Sequence, residues 1–228
     1  MDKFHDIALY AHIASGTVAF IAAPIALIVK KGANNHRLFG KIYFWAMAFV
    51  AISGVVLALL LKNIFLFCVA FFAFYLVASG YRWLYRKNIK QKPAHLDWFI
   101  HITASVFNAG LLVIGIMRLV HDSAGAFGYI SSVFGLIGLN FCRQNIKQLL
   151  KPSGEKAAWL FNHIGGMIGG YVATVSAFSA VNMNFLPEII QWLWPTIIGI
   201  PVIYFFIVYY RKKISGGKEP EEIVEIRI

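Results

Sequence analysis

The chain is 228 residues long; 59 % of them are hydrophobic and only 14 % charged, against roughly 25 % charged in soluble domains. A soluble fold of this length has no interior large enough for 20 Phe and so many Ile and Leu, so lipid must be their solvent and each backbone must satisfy itself as helix. The formal net charge of +11 raises nucleic acid as a partner, but the distribution of that charge excludes it.

Charge is nearly absent from seven stretches: residues 7–29, 42–61, 64–85, 98–120, 127–142, 157–183 and 189–210. Most are near the ~20 residues that cross a bilayer core as a helix. The fifth is short, with 16 residues, or 19 if 124–126 join it. These runs predict an all-α bundle of seven transmembrane helices in one domain, residues 1–210. A charged tail, 211–228, follows; its Gly216-Gly217 pair and mixed acidic and basic residues predict loose order.

Taken in chain order, helix one carries His12 about one turn from its start, and Pro24 further on. The first connection is basic (Lys30, Lys31, Arg37, Lys41), and His36 stands at the start of helix two. The second connection has only Lys62. The third is the most basic, with Arg82, Arg86, Lys87, Lys90 and Lys92. His95 precedes helix four and His101 lies about one turn into it, beginning a stripe with Ser105 and Asn108. The fourth connection offers Arg118 alone, the fifth Arg143, Lys147, Lys151 and Lys156, and the sixth none. Helix six carries Asn162 and His163, then Gly165-Gly166 and Gly169-Gly170. Helix seven contains Pro195, Gly199 and Pro201, expected to bend it, and ends in Arg211, Lys212 and Lys213.

Basic residues thus fill alternate connections, as the positive-inside rule requires of a multi-pass protein of the cell membrane. The amino terminus is expected outside and the carboxyl terminus in the cytoplasm. Anionic headgroups account for the basic excess, and Arg37 suits a contact of that kind. The expected partners are the bilayer and either a second copy or another membrane protein. Asp2 and Asp6 oppose a cleavable signal, and Cys68 and Cys142, inside apolar runs, read as small packing residues.

Ionisable groups within spans mark function by default, and here these are histidines. His36, His95, His101 and His163 all fall near the cytoplasmic rim under this threading, with Asp97 and Asn162 at hand to orient them. Such a set suggests a divalent-metal site or a single haem b. His101 and His163 would bracket the macrocycle, with His36 as a further ligand and the helix-six glycines as its slot. The competing reading of Gly166 and Gly170 is close helix packing. His12, near the opposite rim, cannot share an ion with them. A transmembrane diheme ladder is excluded, because His101 and His121 are about 30 Å apart by rise. No catalytic signature of high specificity occurs, and the scarcity of intramembrane carboxylates disfavours a hydrolase.

Three segments carry a family resemblance: His12-Ile-Ala-Ser-Gly16; Ala23-Pro24-Ile25-Ala26-Leu27; and His36-Arg37-Leu-Phe-Gly40-Lys41-Ile-Tyr43. Together they resemble the N-terminal part of a bacterial family of predicted membrane proteins, domain of unknown function 2306. That family shows His-x3-Gly in the first span and His-Arg-x2-Gly-Lys/Arg-x-Tyr before the second. Its later His-x-x-Trp-Met-Arg element is replaced here by His95-Leu-Asp-Trp98-Phe. The resemblance implies an integral membrane protein, assigns no activity, and draws attention to His12, His36 and His163. Two readings stay open: a haem- or metal-binding redox module, and a non-catalytic bundle, permease-like or an assembly partner.

Overall fold

The computed structural model describes residues 3–88, 91–123, 125–155 and 157–216. Among them are seven α-helices: α1 (Lys3–Ile28), α2 (Asn34–Leu60), α3 (Ile64–Arg82), α4 (His95–His121), α5 (Ala126–Leu150), α6 (Ala158–Asn182) and α7 (Glu188–Ser215). A 3₁₀ turn at Trp83–Tyr85 extends α3, and no strand occurs among the described residues. The remainder of the charged tail beyond Gly216 lies outside the described residues.

Local chemistry explains the boundaries. Gly32 takes the left-handed conformation (φ 77°) that turns α1 into α2. Asn63 caps α3, its Oδ1 accepting from the Leu66 N–H at 3.1 Å. Asp97 Oδ2 reaches back to the Ala94 N–H at 2.8 Å and closes the first turn of α4. α1 runs through Pro24, and α7 through Pro195 and Pro201, each as one element. Neighbouring helices in a bundle offset the bond each proline removes.

Six helices are long and apolar enough to cross a membrane: all except α5. α5 has the length, 25 residues, but its last third holds Arg143, Asn145 and Lys147. These are compatible with helix and not with hydrocarbon, so the helix outlasts its apolar run by two turns until Lys151-Pro152 stops it.

α3 is the hub, packing on α2, α4 and α6 and touching α5, while α7 lies against α6. Contacts at the two ends show that successive helices run in opposite directions. At one end Arg82 meets Asp97, Trp83 meets Asn145, Lys87 lies over Trp159 and Arg211 pairs with Glu155. At the other, Phe65 packs on Phe127 and Trp192, and Trp194 bonds Ser179. The first of these is called the basic end below. Large apolar residues such as Phe49, Ile197 and Phe205 face outward, whereas Ala19, Ala22 and Ala23 are buried against α2 and α6. Small residues where helices approach closely are the packing of a bundle in lipid, and Phe65, Phe72 and Trp83 fill the wider parts of the interior.

Candidate functional site

The basic end gathers the polar side chains. His36, at the start of α2, donates its Nδ1–H to the Ala26 carbonyl at 2.8 Å. Ala26 is in the last turn of α1, where carbonyls lack helical partners. Lys31 donates to the same carbonyl at 3.1 Å and also to that of Leu27, and burial pushes its ammonium below the usual lysine range. His163 does for α3 what His36 does for α1: its Nδ1–H donates to the Gly80 carbonyl at 2.9 Å, two residues before that helix ends. The two imidazoles meet edge-on, with ring centroids 6.4 Å apart. Because each Nδ1 is committed to a carbonyl, Nε2 is the acceptor nitrogen on both rings.

His101 belongs to a different neighbourhood. It is buried, and its Nδ1 hydrogen-bonds the Tyr75 hydroxyl at 3.0 Å. Tyr75 and Gly80 are five residues apart on α3, about 140° around the helix axis. His101 and His163 therefore approach α3 from different sides, and α3 stands between them. His95 is exposed at the first position of α4. Of His36, His95, His101 and His163, the structure brings together only His36 and His163. Among the described residues no three His, Cys, Asp or Glu converge in a way that could hold a metal ion.

The glycines of α6 are filled by α3. A Cβ on Gly166 would stand 2.6 Å from the Gly80 Cα and from the Leu76 carbonyl oxygen. One on Gly170 would collide with Val77 and meet the Tyr43 hydroxyl. That face is a helix contact and leaves no slot for a macrocycle. Asp97 also departs from expectation: rather than orienting an imidazole, it takes Arg82 Nε at 2.6 Å and Arg86 Nη1 at 2.8 Å. Arg86 in turn donates to the Gln91 and Lys92 carbonyls, so one buried carboxylate ties the end of α3 to the segment that leads into α4. Close by, Asn145 Oδ1 accepts from both Ser79 Oγ and Trp83 Nε1, tying α5 to α3. Neither cluster was foreseen. The available signal was one carboxylate at the very start of an apolar run, preceded by two arginines.

The other predicted positions act locally. His12 Nδ1 lies 3.1 Å from the Val50 carbonyl and 3.0 Å from Ser53 Oγ, joining α1 to α2. Arg37 donates to Asn34 Oδ1. Asn108 Nδ2 donates to the Ala104 carbonyl, and its Oδ1 presses onto Gly138, where a side chain would collide with it.

No curated protein and no solved structure matches the chain. The family model described as "Predicted membrane protein (DUF2306)" matches residues 9–141, more than half of the sequence, and takes in His12, His36, His95 and His101. The apolar helices, the His36-Arg37 element and this match agree: the chain belongs to the DUF2306 family of predicted membrane proteins.

Proposed function

We propose that the protein is a seven-span membrane bundle, amino terminus outside and carboxyl terminus cytoplasmic, that works as a non-catalytic membrane component: a permease-like bundle or an assembly partner. Its histidines serve as interhelical braces. The observation behind this reading is that His12, His36, His101 and His163 each spend Nδ1 on a group of another helix. α5 is read as the seventh crossing because it packs on α4 from Gly128 to Gly138, along its apolar run. Its cations can snorkel to the cytoplasmic headgroups. Reporter fusions test the threading. Alkaline phosphatase joined after Asp122 should be active and after Ser153 inactive; activity after Ser153 would remove α5 from the count.

A second reading is favoured by the His36–His163 pair alone. Two imidazoles with Nδ1 anchored to carbonyls are oriented as metal-ligating histidines commonly are. They could supply two donors to a divalent cation whose other ligands come from solvent or a partner. A haem b finds no slot along α6, so an absorption spectrum with metal analysis separates the readings. Metal near one equivalent per chain, lost in both His36→Ala and His163→Ala, supports the cation site. A colourless, metal-free preparation leaves the braces.

A further inference from the structure

At the basic end a groove of about 540 Å³ lies along α5, bordered from α4 by Ser105. Its walls are apolar: Leu139, Cys142, Ile146 and Leu150, with Ser105 opposite. Along one edge stand Arg143 and Lys147, at i and i+4 on one helical face, and Lys151 just past the helix end. None of the three has an acidic partner among the described residues; Arg143 reaches only the amide oxygen of Asn140. The groove at the opposite end is different in kind, since Asp122 and Glu188 there accompany Arg118 and His121.

We propose that this groove is a binding site for an anionic diacyl phospholipid, with an acyl chain along Leu139, Ile146 and Leu150 and the phosphate group held by Arg143, Lys147 and Lys151. Three features carry it. From Leu139 to Leu150 the helix rises about 17 Å, slightly more than one leaflet of a hydrocarbon core ~30 Å thick. The apolar row and the cation row run side by side, with Leu139 set before every cation and Lys151 beyond every apolar residue, so the two extremes match the tail and headgroup of a lipid. The apolar part of α5 is also shorter than the bilayer, so this end falls where headgroups descend to meet it. A cation ladder over an open apolar groove is complementary to a molecule with one negative head and a long chain. A soluble anion or an uncharged lipid matches only half of it.

Native mass spectrometry of the full chain in detergent tests this with phosphatidylglycerol and phosphatidylcholine of identical acyl chains. At ~1 kcal/mol for each of three cations, the anionic lipid should be retained about a hundredfold in preference. Replacing all three (Arg143→Gln, Lys147→Gln, Lys151→Gln) should cut that preference at least tenfold. Lys212→Gln with Lys213→Gln, at the same end but off the groove, should leave it. Ile146→Trp, which fills the groove and keeps the cations, should also lose retained lipid, with circular dichroism confirming the fold of each variant. Equal retention of the two lipids overturns the proposal. So does unchanged retention in Ile146→Trp, which would reduce the effect to charge attraction, or an equal loss in the Lys212/Lys213 control.

Discussion

Gly166→Ala is the sharpest test of how this bundle is held together, because Gly169, three residues on and turned off the seam, supplies its own control. At Gly166 the added methyl would stand 2.6 Å from both the Gly80 Cα and the Leu76 carbonyl oxygen. Both obstacles are backbone, so no rotamer can make room and α3 and α6 must separate. Overpacking of this kind costs about 1–3 kcal/mol, and clashes with backbone belong at the upper end. Separation also stretches the His163–Gly80 bond, one turn along the same interface; intramembrane bonds of this sort average ~0.6 kcal/mol. Against this, alanine gains about 1 kcal/mol of helix propensity over glycine. The net expectation is a loss of about 2 kcal/mol. At Gly169 the nearest atom to an added Cβ is Leu76 Cδ1 at 3.7 Å, an ordinary contact. There the propensity gain stands alone and the variant should be neutral or stabilised by up to ~1 kcal/mol. Reversible unfolding in mixed detergent micelles reads both variants. Equal effects at the two positions would refute the assignment of Gly166 to the α3–α6 seam.

The Asp97 cluster predicts non-additivity. Asp97→Asn leaves Arg82 and Arg86 without their buried carboxylate and should cost about 3 kcal/mol in the same unfolding assay. The double variant with Arg86→Gln should lose less than the sum of the two single changes, and strict additivity would count against a shared ion cluster. Asn145→Leu strands Ser79 Oγ and Trp83 Nε1 together and should cost ~1–2 kcal/mol; a change under a few tenths would show that α5 is not held to α3 through this amide. Gly32→Ala places a side chain at φ 77° and should lose ~1 kcal/mol, whereas Gly40→Ala, with open space around its Cβ, should lose nothing.

The membrane class, the helical content and the near-edges of the apolar runs follow from the sequence alone. Run length and the placement of charge are properties of position along one dimension, and lipid reads them directly. Depth is also one-dimensional, which is why His36 and His163, on two different helices, do lie at one level. Azimuth is not. Each residue turns its side chain by about 100°, and only the packing of neighbouring helices decides which direction is inward. That is why His101 is turned to Tyr75 while His163 is turned to Gly80, although both lie within two turns of a helix start on the same end. The close approach of Gly80 and Gly166 sets the separation of α3 from α6, and with it the meeting of the two imidazoles. Tertiary structure likewise gave Asp97 to the arginines, since Arg82 and Arg86 emerge from α3 beside the first turn of α4 and a buried carboxylate is drawn to the nearest cation.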